Sequence, residues 1–169
     1  MSTEPDSATV ARLQQKFDGF APHALDDPLY LALASLVAGR PDWAALLAAA
    51  PPSQQSPTLW FAALHDRILE LVDAGRRPAL ADYYPSAGSA RAPDDALAAR
   101  LGEFIDANRA ELRQRIATRN TQTNEIGRCA VLWPVLQQLV DDGARPRIAL
   151  LDVGCSAGLC LGVDLWRYR

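Results

Sequence analysis

The stretch that decides the fold reads Arg147-Ile-Ala-Leu-Leu-Asp-Val-Gly-Cys-Ser-Ala-Gly158. Six of the seven residues at positions 148–154 are apolar or glycine, and polar and apolar residues do not alternate. A continuous apolar run of this length predicts a strand that is buried on both faces, as in a parallel sheet. Pro146 keeps a helix from running into it, and the glycines behind it allow a tight turn. Ligands bind at the carboxyl ends of such strands, so the stretch predicts a ligand-binding turn.

The turn itself has three interpretations. It resembles the glycine loop of S-adenosylmethionine-binding folds, with Gly154 and Gly158 in place and Ser156 where the middle glycine usually stands. It also fits the Gly-x-Ser-x-Gly nucleophile elbow of hydrolases letter for letter. That mechanism needs a histidine after the serine, whereas His23 and His65 both come before it. In the third interpretation, the strand and the turn are structural and bind nothing.

The segment Thr118-Arg-Asn-Thr-Gln-Thr-Asn-Glu-Ile-Gly-Arg128 is polar, although it lies between two helical stretches. Thr123 is a good N-cap for the second stretch, whose predicted buried face comprises Ile126, Cys129, Ala130, Trp133, Leu136, Leu139 and Val140, with a kink at Pro134. Capping alone does not require so many amide and guanidinium groups. The alternative is a polar pocket, lined by Arg119, Gln122, Asn124 and Arg128.

Residues 1–144 are predicted to form a helical domain, because their apolar residues recur at helical spacing. The predicted helices cover residues 7–17, 27–39, 41–47, 58–74, 94–118 and 123–143. Asp27 and Pro28 are predicted at the N-cap and first position of the second helix. Residues 145–169 would then begin a Rossmann-like cofactor-binding domain and leave it incomplete. The predicted fold is therefore mainly α, followed by the first β-strand and glycine loop of a truncated α/β domain.

Composition narrows the class of protein. The chain has 169 residues, 49% of them hydrophobic, and a net charge of −3, which predicts a folded core and argues against a nucleic-acid partner. No apolar run reaches the ~18 residues of a membrane span, and the polar amino terminus does not resemble a signal peptide. Three cysteines without Cys-x-x-Cys spacing indicate the cytoplasm and no structural zinc site.

Two further features have structural interpretations. His65 is a single histidine on an amphipathic helix, which is most often a packing or surface residue, and it has no partner at metal-ligand spacing. The aromatic pair Tyr83 and Tyr84, followed by Pro85, is interpreted as a plug at the end of a helix.

Two segments together resemble a bacterial family of uncharacterised methyltransferase-like proteins, catalogued as a domain of unknown function. They are Thr121-Gln-Thr-Asn-Glu-Ile-Gly-Arg-Cys129 and Leu150-Leu-Asp-Val-Gly-Cys-Ser-Ala-Gly-Leu159. Pro28-Leu-Tyr30, Ala62-Ala-Leu-His65 and Tyr83-Tyr-Pro85 are similar to further stretches of that family. The chain departs from the family at Cys160, where asparagine is usual, and Asp164-Leu-Trp166 is a degraded match. The family continues well beyond the position of Arg169.

The resemblance implies a methyltransferase-like protein that uses S-adenosylmethionine, for an unknown small-molecule or other methyl acceptor. Its implied cofactor-binding residues are Asp152, Gly154, Ser156 and Gly158, joined by the polar residues Gln122, Asn124, Glu125 and Arg128. This chain alone is expected to be inactive, because the rest of the family's domain does not follow.

Two alternatives remain. The chain could act without catalysis, as a helical interaction module or half of a split protein, self-associating through the unpaired strand. The more distant alternative is a hydrolase that uses Ser156.

Overall fold

A computed structural model gives the fold and describes residues 5–20, 27–121, 126–141, 147–153 and 158–168. Six α-helices lie in these ranges: α1 (Ser7–Phe20), α2 (Pro28–Ala38), α3 (Pro41–Ala44), α4 (Pro57–Asp73), α5 (Leu97–Thr118) and α6 (Cys129–Asp141). Short 3-10 helices connect or follow them: Ala45–Ala49, Pro52–Gln54, Ala79–Tyr83, Pro85–Ala87, Ile126–Arg128 and Leu159–Gly162. The chain divides into two compact units, Met1–Thr121 and Gln122–Arg169. The predicted domain boundary after residue 144 stays a prediction.

Local capping explains where the helices of the first unit begin. Asp27 Oδ1 accepts hydrogen bonds from the backbone N–H groups of Leu29 (3.0 Å) and Tyr30 (3.2 Å), with Pro28 at the first helical position. This confirms the predicted start of α2. Ser56 caps α4 in the same way, because its hydroxyl accepts from the backbone N–H of Leu59 at 3.3 Å.

The core of the first unit is built around α4. Trp60 and Phe61 of this helix meet Phe17 of α1 edge to face, each pair with ring centroids 5.8 Å apart. Tyr30 of α2 packs on Phe61 in the same manner at 5.4 Å. Aliphatic residues of α2, α3 and α5 complete the cluster: Leu33, Ala34, Val37, Ala44, Leu101, Ile105, Leu112 and Ile116. Burial on this scale supplies the main driving force for folding of the unit.

Helix α5 is kinked at Asn108, whose backbone has φ −128° and ψ 20°. The buried side chain donates from Nδ2 to the Phe104 carbonyl at 2.9 Å and accepts at Oδ1 from Arg67 Nε at 2.9 Å. The predicted helix at residues 94–118 therefore consists of two helical segments that meet at Asn108.

The second unit buries far less than its sequence predicts. Pro134 lies inside α6 as predicted, and Cys129 is buried. Ala130, Leu139 and Val140, however, are exposed. The predicted apolar face of α6 is therefore wrong in these three residues, because nothing described in the unit covers them.

The apolar run at residues 147–153 is irregular, not the predicted strand. Leu151 and Val153 are 85% and 89% exposed. A strand is defined by hydrogen bonds to a neighbouring strand, and the described part of the chain contains no strand to supply them. The mainly helical fold is confirmed. Residues 147–153 form no strand, and residues 154–157 of the predicted glycine loop lie outside the described residues.

Among the described residues, no single helix has the length and apolar composition to cross a membrane. The two segments Pro28–Ala38 and Pro41–Ala49, bent by 105° at their junction, pass that test only as a pair.

Candidate functional site

Gly158 closes the loop that the sequence assigns to the cofactor. Its backbone is left-handed, with φ +71° and ψ 14°, and it precedes the 3-10 helix Leu159–Gly162. The Leu161 N–H donates to the Gly158 carbonyl at 3.0 Å, which fixes this turn. A residue with a Cβ is strained in this conformation by about 1–2 kcal/mol, so the position favours glycine.

Two buried cysteines hold the start of α6 against this turn. The Cys129 thiol donates to the Cys160 carbonyl, with Sγ and O separated by 3.8 Å. Burial raises the pKa of the Cys129 thiol, and its neighbour Cys160 raises it further. The thiol is therefore protonated at neutral pH, and the contact is structural rather than nucleophilic.

The turn and the polar segment meet in the second unit. The 3-10 helix Ile126–Arg128 contacts the 3-10 helix Leu159–Gly162. The charges of Arg128 and Asp152 both act on the Cys129 thiol: Arg128 lowers its pKa and Asp152 raises it. Arg128 is exposed and Asp152 is half-buried.

Three predicted site residues, Arg128, Asp152 and Gly158, thus lie around the contact between Cys129 and Cys160. The others fall outside the described residues: Gln122, Asn124, Glu125, Gly154 and Ser156.

A groove of about 650 Å³ lies beside this region, within the second unit. Its walls come from α6, from the apolar run and from the turn, and include Trp133, Leu136, Ile148, Leu150 and Leu161. Gln137, Asp141 and Asp164 add polar groups. Its volume falls within the ~300–1,000 Å³ of small-molecule sites. The groove is not lined by Arg128, Asp152 or Gly158. Each of these residues nevertheless lies within three positions in sequence of Cys129, Cys160 or a residue that lines the groove.

Metal binding has no support in the described ranges, where no three His, Cys, Asp or Glu side chains gather around a common point.

The helical unit contains a polar contact that the sequence analysis missed. His65 Nε2 lies 2.6 Å from Ser86 Oγ, and the imidazole stacks on Tyr84 with centroids 4.8 Å apart. Sequence patterns alone indicate separate packing roles for His65 and Tyr84. One sign of a shared role was present, because both residues belong to stretches that resemble the same bacterial family.

Similarity to known proteins identifies a family. A search of curated proteins and a search of solved structures each find no match. A family profile described as "Uncharacterized protein conserved in bacteria (DUF2332)" matches residues 14–169, which cover most of the first unit and all of the second. The chain therefore belongs to this bacterial family of uncharacterised proteins.

Proposed function

We propose that the chain supplies the helical domain and glycine loop of a cytoplasmic methyltransferase-like protein that uses S-adenosylmethionine. The observation that carries the proposal is the left-handed Gly158 at the end of the loop. A glycine is needed where backbone turns tightly and approaches a ligand closely. The family membership is compatible with this proposal, and its description assigns no activity.

The residues around the turn suit such a cofactor. The groove offers apolar walls for a nucleoside and has enough volume for it. Asp152 is half-buried beside the turn and can accept hydrogen bonds from hydroxyl or amino groups. Arg128 is an exposed cation near the same turn and can bind a carboxylate.

The cofactor would supply an electrophilic methyl group. The protein's part is to hold an acceptor in line with that group and to exclude water, which is orientation rather than covalent chemistry. Gly158 sets the course of the loop, Asp152 would orient it, and Arg128 would contribute a polar contact at its edge. The methyl acceptor would be a small molecule or another nucleophile.

Titration of S-adenosylhomocysteine into the 169-residue chain, followed by calorimetry, tests the proposal. We expect saturable binding with a dissociation constant below about 1 mM. Gly158→Val should weaken that binding at least ~10-fold, because a β-branched residue resists the left-handed backbone by an energy of that order.

Gly75→Val is the matched control. Gly75 has nearly the same backbone angle, φ +72°, and nothing within 4 Å of an added Cβ, but it ends α4 in the other unit. The Gly75→Val substitution introduces the same local strain at a position outside the loop. The affinity of this variant for S-adenosylhomocysteine should therefore equal that of the parent chain. Absence of binding to the parent chain, or equal weakening in both variants, would refute the proposal.

A second candidate function, self-association as an interaction module or as half of a split protein, is favoured by the exposed apolar side chains. In the described ranges, the exposed large hydrophobic residues all fall in the second unit: Val131, Leu132, Val135, Leu139, Val140, Ile148, Leu150, Leu151, Val153, Leu159, Leu161, Leu165, Trp166 and Tyr168. Contiguous exposed apolar surface marks interaction sites. An unpaired apolar run can also pair with a second copy of itself.

Light scattering over a concentration series tests the second candidate. We expect the parent chain to shift from monomer to dimer between ~1 and ~100 µM, the affinity range of modest interfaces. The double variant Leu151→Glu, Val153→Glu should stay monomeric, because it places charges on the run at residues 147–153. Gln138→Glu, which changes an exposed polar residue of α6, should dimerise as the parent does. A parent chain that is monomeric at every concentration would exclude this candidate.

A further inference from the structure

The helical unit holds a serine and a histidine in direct contact, and neither residue belongs to the loop discussed above. His65 lies on α4, and Ser86 lies in the middle of the 3-10 helix Pro85–Ala87. Their polar atoms, Nε2 and Oγ, are 2.6 Å apart. Ser86 is exposed and His65 is half-buried, so a molecule from solvent can reach the hydroxyl while the ring is held from behind.

Tyr84 holds the imidazole in place. The two rings are nearly parallel, at 17°, and Tyr84 is only 2% exposed. Its hydroxyl is buried without a hydrogen-bond partner in the described part of the chain. Such groups are rare in folded proteins and call for an explanation, which can be functional. Burial also raises the pKa of Tyr84 far above its ordinary range, so the phenol stays protonated.

The charge state of His65 suits proton acceptance. Burial lowers the pKa of His65 below 6.5, and the neighbouring carboxylate of Asp66 opposes that shift. Arg115 of α5 and Arg119, which follows that helix, both bind Asp66, and their positive charges offset its carboxylate. The ring also faces the neutral Tyr84 phenol and Ser86 hydroxyl. His65 is therefore neutral at pH 7, with one nitrogen able to accept a proton.

We propose that Ser86 and His65 form a nucleophile–base pair that transfers an acyl group from a small ester to water. A hydroxyl becomes a nucleophile when a positioned base takes its proton, and the 2.6 Å contact provides that position. The proton of the neutral ring must then be on Nδ1, which leaves Nε2 as the acceptor. The site differs from the loop serine Ser156, so it goes beyond the methyltransferase proposal and does not depend on it.

The steps conserve atoms and protons. Ser86 Oγ bonds to the acyl carbon as its proton passes to His65 Nε2. The bond to the leaving alkoxide breaks, and the alkoxide takes that proton and departs as an alcohol. Water then attacks the acyl-serine and gives one proton to His65. The acid leaves, and His65 returns the proton to Ser86 Oγ.

The chain offers a matched control serine. Ser53 is exposed and occupies the middle of the 3-10 helix Pro52–Gln54, directly after a proline, as Ser86 does. His65, the only histidine in the described residues, has its Nε2 on Ser86 instead. The two serines share their backbone setting and their exposure, and they differ in that Ser86 contacts His65.

Labelling with an alkyl fluorophosphonate, followed by peptide mass spectrometry, tests the pair. This probe reacts with activated serines, which displace its fluoride at phosphorus. We expect Ser86 to be modified and Ser53 to stay unmodified. His65→Gln should slow the modification at least ~100-fold, the lower end of what a positioned base contributes. The rate should rise with pH, with a midpoint below the ordinary histidine value of 6.5.

The variants also separate activation from folding. Ser86→Ala should lose the label, Ser53→Ala should keep it, and all variants should retain the helical circular dichroism of the parent. Hydrolysis of p-nitrophenyl acetate should follow the same order. Unmodified Ser86, equal labelling of Ser53, or undiminished labelling in His65→Gln would each overturn the proposal. Success or failure of this labelling test has no bearing on the binding of S-adenosylhomocysteine, so the two proposals can fail independently.

Discussion

Replacing Trp60 by alanine should destabilise the helical unit by about 3–5 kcal/mol, the range for deleting a buried aromatic side chain. Trp60 is 1% exposed and meets both Phe17 and Phe61 edge to face. Its indole Nε1 also donates to the Trp43 carbonyl at 3.1 Å, which connects α4 to α3. Alanine would leave a cavity and would also remove the hydrogen bond to the Trp43 carbonyl. Because domains are stable by only ~5–15 kcal/mol, this loss is a large fraction of the total.

Urea unfolding followed by circular dichroism at 222 nm measures this loss without relying on tryptophan emission, which the substitution itself changes. Trp166→Ala is the control. Trp166 is 38% exposed in the other unit, and its Nε1 donates to the Leu159 carbonyl at 3.1 Å. Both variants lose an indole and one hydrogen bond, but only Trp60 lies in the core. Equal unfolding midpoints for the two would contradict the described packing.

Replacing Asn108 by leucine should cost about 1–3 kcal/mol, the penalty for leaving a buried polar group unpaired. Asn108 Oδ1 is the acceptor for Arg67 Nε, and the Arg67 side chain is only 12% exposed. The substitution also removes the bond from Nδ2 to the Phe104 carbonyl. Leucine favours helix over asparagine by only about 0.5 kcal/mol, so this gain does not offset the loss.

The same urea experiment tests this prediction, with Asn120→Leu as its control. Asn120 is exposed and lies beyond the end of α5. Its substitution should change the free energy of unfolding by no more than about 0.5 kcal/mol. A stabilised Asn108→Leu variant would mean that the kink in α5 is a strained feature, with no stabilising role for the bond to Arg67.

The helices of the first unit could be predicted because their signals are local. Asp27 lies two residues from the N–H group of Leu29 that it caps, and Pro28 marks the first turn. The predicted first helix at residues 7–17 matches α1, in which Leu13 and Phe17 are both fully buried. These features depend on a few neighbouring residues, so the sequence determines them before any tertiary contact forms.

The conformation of the apolar run at residues 147–153 could not be predicted from such local signals. Its pattern is compatible with a buried strand, but a strand forms only when distant residues supply its hydrogen bonds. The pattern of Ile148, Leu150 and Leu151 indicates what the segment could bury, and not whether a partner is present.

The candidate sites show the same distinction. Gly158 was identified from its position in a short motif, and its left-handed backbone fits that motif. The contact of His65 with Ser86 joins residues 21 positions apart on two different elements. No spacing rule predicts such a pair, because the intervening chain determines how the elements meet.

The distribution of buried residues also has a consequence for synthesis on the ribosome. The main core is formed by residues that lie between positions 13 and 116, whereas the exposed large hydrophobic residues of the described ranges lie at positions 131–168. Translation adds about 5–20 residues per second, and domains fold as units as they emerge. The core's residues are thus all synthesised seconds before the last apolar ones. A nascent chain would present a folded amino-terminal unit followed by a segment with exposed apolar side chains, which chaperones would bind.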